Sequence, residues 1–371
     1  MPLILSEEQA MLAEAAGGFI AERGPISHLR HLRDTRDADG LSRDLWRDFG
    51  EMGLSGVIIP EVYGGSGLGA VEAGVVAEAI GRNLTPSPFL SSGLLAARAL
   101  IDGGHEAQKA DWMPRLAAGE AIIALAVDEG AKHRPDRIQT RAERAGNGYR
   151  ISGTKALIVD GHIADALIVA ARTDEGLGLF LVDPRADGVT VERTLMVDAH
   201  NAARIELSDV MVDADALLGA ADGRLLDRVL LWGRGAVAAE MSGAAQGAFD
   251  QTLTYLRDRT QFGKAIGEFQ ALQHRAAHLY SEIEITRAIV LKALQALDAG
   301  ADDADLLISV AKARAIRSGE LAVQEAVQMH GGVGMTDEFD VGLYMKRMRV
   351  TSELFGDAGF HADRVARAGG Y

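Results

Sequence analysis

The sequence has no cysteine in 371 residues, so disulfides and thiolate metal sites are excluded and thiols give no reading of compartment. It has no apolar run long enough to span a membrane. The opening MPLILSEEQA has no basic region and too short an apolar run for a signal peptide, which points to a cytoplasmic protein. Positive charge is scarce: 38 Lys and Arg stand against 53 Asp and Glu, a formal net charge of −15. That balance argues against a nucleic-acid partner, which needs clustered cations to release counterions. An anionic ligand would need a local basic patch that overrides the global sign. No internal repeat of fixed period and no low-complexity tract is present.

What is present changes character twice along the chain, which is long enough for two or three domains. Residues 1–119 read as helical. Ser6 to Gln9 has the pattern of a capping box opening a helix with Leu12, Ala15, Phe19 and Ile20 on its apolar face. Ser42 starts another, carrying Leu45, Trp46, Phe49 and Met52. Gly53 to Gly69 reads as a loop, followed by helices over Val71 to Arg82 and Leu90 to Asp102, separated by NLTPSPFL. Residues 120–218 turn to short strands: AIIALAV, Arg137 to Arg144, a GNG turn at Gly146 to Gly148, Tyr149 to Ile158, Ala166 to Ala171, Gly178 to Val182, Val189 to Arg193 and Ala203 to Met211. Residues 219–371 are again helical, with long Ala-rich segments over Ala236 to Arg257, Glu268 to Ala299, Asp303 to His330 and Asp340 to Ser352, a bundle pattern.

Chemistry concentrates where one long helix breaks and the next begins, YLRDRTQFGKAIGEFQALQH from Tyr255 to His274. Helical spacing places Tyr255, Leu256, Phe262, Phe269 and Leu272 toward the interior. The break carries Arg259, Thr260, Gln261 and Lys264, with Gly263 and Gly267 opening the backbone. An arginine, exposed amides and a helix start suit a phosphate or pyrophosphate. The same residues also suit an ordinary helix connection with solvated charges. Downstream, QMHGGVGM follows a long helix, and a left-handed cap accounts for Gly331 and Gly332 without any ligand. His274, His278 and His330 are not spaced as a metal site, and no metal is expected.

RTQFGKAIGEFQALQH, then AVQMHGGVGMTDEF, then a basic helix ending MKRMRV, in this order and at these distances, resemble the acyl-CoA dehydrogenase family, and the likeness runs essentially the whole chain. PEVYGGSG and WMPRLAAGE match its helical N-terminal part. The resemblance implies an α+β fold: an N-terminal helical domain, a small central β-barrel domain and a C-terminal four-helix bundle. It also implies FAD held between the β-domain and the bundle, with segments of a neighbouring subunit reaching it in a tetramer. Arg259, Phe262 and Gln270 then contact the diphosphate and adenine side, and Gln328, Gly331 and Gly332 serve the partner subunit's FAD. The implied partners are an acyl-CoA substrate, a second dehydrogenase subunit and electron-transfer flavoprotein, in fatty-acid or steroid side-chain oxidation.

The departures from the family pattern fall together. The segment that matches the family's catalytic glutamate reads SELFGDAG, with Phe355 at the glutamate's position, Gly356 keeping the next glycine as a cofactor-side residue, and Asp357 after it. Other members carry the base just before an arginine that matches Arg234, but here that residue is Gly233. The nearest carboxylate is Glu353, two positions early and so on another helix face. Its alternative role is a solvated or ion-paired side chain. For Arg234 the alternative is a buried ion pair with Glu240 or another acidic neighbour, and for Asp357 a helix cap. The family's TEPxAGSD-like turn matches VDEGAKHR, Val127 to Arg134. Its KxWIT strand matches KALIV, with Leu157 for tryptophan and Val159 for threonine, neither able to donate a hydrogen bond. His133 and Arg134 either obstruct the CoA or flavin entrance or line a surface turn. The expectation is a base-deficient subunit of a heteromer that donates FAD-contacting segments to a competent partner. The alternatives are an autonomous dehydrogenase using Glu353 or another base, a flavin monooxygenase of the same fold, and a non-catalytic structural partner.

Overall fold

The computed structural model describes residues 3–371. The N-terminal helices are α1 (Glu7–Arg23), α2 (Ile26–Thr35), α3 (Arg43–Glu51), α4 (Ala70–Asn83), α5 (Ala97–Gly103) and α6 (Glu106–Ala117). The C-terminal ones are α7 (Arg224–Asp258), α8 (Gln270–Asp298), α9 (Ala304–His330), α10 (Val341–Glu353) and α11 (Ala358–Ala368). Between them lie β1 (Ile123–Ala126), β2 (Arg141–Ala145), β3 (Gly148–Val159), β4 (Ala166–Arg172), β5 (Leu177–Val182), β6 (Val189–Leu195), β7 (Asn201–Asp213) and β8 (Leu217–Leu218). Among the described residues no helix is long and apolar enough to cross a membrane.

Local signals set the helix starts. Ser6 and Gln9 form the reciprocal capping box, but Ala16 and Ile20 are the residues α1 buries, and Ala15 faces out. Ser42 caps α3 by accepting from Leu45 N–H, and Leu45, Trp46 and Phe49 are buried. Met52, expected on that face, follows the last turn and is 47% exposed. The expected helix from Leu90 begins instead as a π-helical stretch, Phe89–Ala96, fully buried, before α5 continues it.

Two compact units emerge, each drawn from separated parts of the chain. One contains β1–β8, α3, α5 and α6. Its strands form a mixed sheet in the order β6-β7-β3-β2-β4-β5-β8, with β1 pairing β4 in parallel, so the expected barrel is built as a branched ladder ending at β6 and β8. Alternate residues such as Tyr149, Ile151, Val169, Phe180 and Ile205 form its core. The GNG turn closes the β2–β3 hairpin, with Ala145 opposite Gly148.

The other unit holds α1, α4, α8–α11 and α7 from Arg234 onward. Leu256, Leu279, Ile283 and Met329 form one core cluster between α7, α8 and α9. A buried ion pair, Arg347 to Glu240 at 2.6 Å, ties α10 to α7. The first turn of α4 is capped from far away: Asp298, at the end of α8, accepts from Ala70 N–H at 2.5 Å and Val71 N–H at 3.0 Å.

Candidate functional site

At the position matched to the glutamate, the chain turns sharply between α10 and α11. Phe355 has φ +56°, an uncommon backbone for a bulky residue, and is only 8% exposed. Gly356 follows at φ +116°, where a Cβ would lie 2.3 Å from the Phe360 ring, so only glycine fits. Arg234, buried in α7, donates its Nε–H to the Phe355 carbonyl at 3.3 Å and stacks over Phe360 at 5.5 Å. The ion pair with Glu240 weighed for it belongs instead to Arg347. Glu353 lies 3.3 Å from Arg349, one helical turn back, and Asp357 caps α11 by accepting from Phe360 N–H at 2.8 Å. Both carboxylates therefore have structural roles.

Sequence reasoning missed the group beneath this turn. Lys312 on α9 is fully buried, and its Nζ donates to the carbonyls of Thr351 at 2.9 Å and Gly356 at 3.4 Å. Burial pushes its pKa down to about 7, against the pull of Glu353 and with Arg234 adding to the decrease. The available signal was positional: Lys312 shares a helix stripe with Ile308 and Ile316, both buried, so its side chain had to enter the core.

The sheet unit has a second inward-turned knot. Lys155, fully buried on β3, donates to the Val127 carbonyl at 3.1 Å and to Glu129 at 2.9 Å. Glu129 also accepts from the backbone of Gln139 and from the backbone and hydroxyl of Thr140. Burial alone would raise its pKa, but the Thr140, Lys155 and Gln139 hydrogen bonds outweigh it and hold the carboxyl below its usual range. Burial lowers Lys155 to about 8. His133 is buried and its Nδ1 sits 3.0 Å from Asp128, so it belongs to the turn's interior, while Arg134 is exposed. Leu157 falls in a register shift between β3 and β7, with φ +57°, and is 37% exposed.

The Tyr255–His274 stretch is built differently. After α7 ends, Thr260–Gln261 (β9) and Lys264–Ala265 (β10) form a two-stranded ribbon, and a 3-10 turn over Ile266–Glu268 leads into α8. Phe262 sits at the ribbon tip with φ +54° and 92% exposure, which corrects its interior assignment; the helical spacing used to place it stops at Asp258. Leu256 is buried, while Tyr255, Phe269 and Leu272 are half-buried. Arg259 and Gln270 are exposed. The glycine turn after α9 also departs from the expected left-handed cap: Gly331 has φ +68° and ψ −144°, a region essentially reserved for glycine, and Gly332 has no positive φ. Gln328, Gly331 and Gly332 are exposed, and nothing stands within 4 Å of where a Cβ on either glycine would project. The bundle unit thus offers an arginine, two glutamines and open backbone to an anionic group. In the sheet unit, Leu157 and Val159 offer no side-chain donor. Among the described residues no cluster of His, Cys, Asp and Glu could hold a metal ion.

Three family descriptions match the chain: "Acyl-CoA dehydrogenase, N-terminal domain" over residues 6–120, "middle domain" over 126–210 and "C-terminal domain" over 223–370. The mitochondrial isovaleryl-CoA dehydrogenase of Pongo abelii is 31% identical over 367 residues, covering 92% of this chain and 84% of that one. The ChsE4-ChsE5 complex from Mycobacterium tuberculosis is similar in structure, with TM-score 0.91 and 28% identity, covering 99% of this chain and 98% of that chain. A glutaryl-CoA dehydrogenase from Mycobacterium smegmatis in complex with FADH2 has TM-score 0.89 and 25% identity, covering 98% of this chain and 95% of that chain.

Proposed function

The chain belongs to the acyl-CoA dehydrogenase family of oxidoreductases, and we propose that it is a base-deficient subunit of a heteromeric, FAD-dependent acyl-CoA dehydrogenase. The observation that carries this reading is the α10–α11 turn. Phe355 stands where the family glutamate is expected, and both neighbouring carboxylates already have structural partners. A phenyl ring cannot accept a proton, and loss of a general base costs about 10²–10⁴-fold in rate. The similarity to the ChsE4-ChsE5 complex supports a paired assembly, and the FADH2 complex supports the choice of cofactor.

In this reading the chain's own residues bind and orient. Arg259, Phe262 and Gln270 would meet the diphosphate and adenine side of FAD, and Gln328, Gly331 and Gly332 would support the FAD of the partner subunit; Gly356 shapes the turn after α10. Bound flavin supplies the hydride-accepting chemistry. The α-proton of the acyl-CoA goes to a carboxylate of the partner chain. The test is expression alone and together with a glutamate-bearing dehydrogenase chain encoded beside it. The paired preparation is expected to be yellow, to copurify and to turn over acyl-CoA, while the lone chain is slow and short of flavin. Stoichiometric FAD with full turnover from the lone chain would overturn the reading.

A further inference from the structure

The two outward turns, residues 259–269 and 331–335, are far apart in sequence but share one aromatic contact. Tyr255, one helical turn before Arg259, stacks on His330, the last residue of α9, with ring centroids 4.3 Å apart and planes inclined by 20°. Phe339 closes the group edge-on, 5.5 Å from Tyr255 and 5.3 Å from His330. Each ring is tied to a different turn. Tyr255 accepts the Arg259 N–H at 2.9 Å through its carbonyl, and the Arg259 carbonyl accepts from Ile266 N–H at 2.8 Å. His330 immediately precedes Gly331, and its Nδ1 lies 2.8 Å from the Ala326 carbonyl. Phe339 is held by its neighbours, since Arg30 pairs with Asp337 at 3.3 Å and Asp340 at 2.6 Å. His330 is 4% exposed, and burial holds its pKa below the ordinary value. A neutral ring stacks at no desolvation cost for a charge.

We propose that His330 is a positioning residue that couples the ribbon after α7 to the glycine turn after α9, so that the two present their donors as one unit. Its use in holding FAD rests on the function proposed above; the coupling itself does not. One further contact runs the same way. Ile266, just after the ribbon, packs on the cluster that contains Leu256 and Met329, the neighbour of His330. A ligand spanning both turns would then meet a preorganised surface and lose less on ordering it.

The test is hydrogen exchange on the full chain, read by mass spectrometry, comparing His330→Leu with His330→Phe. Leu removes the stack, and Phe keeps a ring in place. In His330→Leu, exchange over residues 259–269 is expected to rise about tenfold, the scale of opening when one aromatic pair is lost. In His330→Phe it stays near the wild-type rate, and peptides from β4 and β5 are unchanged in both. Faster exchange confined to residues 331–340 would overturn the coupling. So would equal loosening by Leu and Phe. FAD release from the assembled heteromer separates the two ideas. His330→Leu should speed release by a factor similar to its exchange effect. Arg259→Ala should speed release with ribbon exchange unchanged. If Arg259→Ala leaves release unaffected while His330→Leu still loosens the ribbon, the cofactor reading fails and the coupling stands.

Discussion

The turn at residues 127–134 and the ribbon at residues 260–265 are both short, charged connections, yet their polar side chains point in opposite senses. In the first, Asp128, Glu129 and His133 turn inward: Glu129 accepts from Lys155 and Thr140, and Asp128 lies 3.0 Å from His133 Nδ1. In the ribbon, Thr260 and Gln261 stand exposed, with Arg259 just before them and Phe262 at the tip. A polar group satisfied inside its own unit stabilises that unit and is lost to a ligand; one left in water contributes little to folding and remains available. The same contrast recurs within the bundle unit, between the buried Lys312 beneath the α10–α11 turn and the open Gly331 beside exposed Gln328.

The largest loss of stability is expected at Lys155. Lys155→Met leaves Glu129 without its buried cation and should cost about 3 kcal/mol in urea unfolding. A loss below ~1 kcal/mol would mean the knot is not structural.

Lys312 makes stability depend on pH. Its folded pKa, about 7, lies below the ordinary 10.5. The unfolded chain therefore binds the proton more tightly, and stability rises with pH between those two values. The favourable contribution is complete above 10.5 and is lost as pH falls through about 7. Lys312→Met should remove that rise, so the wild-type-minus-variant stability should have a slope approaching ~1.4 kcal/mol per pH unit in this window. Parallel pH profiles for the two proteins would show that Lys312 titrates as in water.

Arg259→Ala addresses the outward side: unfolding free energy should move by less than about 0.5 kcal/mol, while FAD retention by the assembled heteromer falls. A marked loss of stability would place Arg259 with the inward set. The smallest effect is expected from Glu353→Gln, which removes one exposed-side pair with Arg349 worth about 0.3–0.5 kcal/mol. Turnover of the heteromer should be unchanged, and a collapse in rate would make Glu353 the base.

How much was legible in the sequence follows the same division. Local patterns carried the helix caps at Ser6 and Ser42, the GNG hairpin and the long helices of the bundle, because capping and periodicity depend on near neighbours. The carboxylate roles of Glu353 and Asp357 were also readable, since each partner lies within four residues. Phe262 was misplaced because helical spacing was carried past the end of α7 into a ribbon that spacing cannot foresee. The Arg234–Glu240 pairing failed for another reason: Glu240 finds Arg347, 107 residues away, and no local rule ranks one distant arginine over another. Lys155 and Lys312 went unassigned because a lone lysine reads as solvated until its stripe is seen to be buried.

The amides that open α4 find their acceptor in Asp298, 228 residues later than Ala70. On the ribosome, therefore, α4 emerges with an unfinished end and must wait for most of the polypeptide before that end is closed. A product truncated before Asp298 would carry an N-terminal region that is complete in sequence but unfinished in structure, a natural substrate for chaperones and proteases.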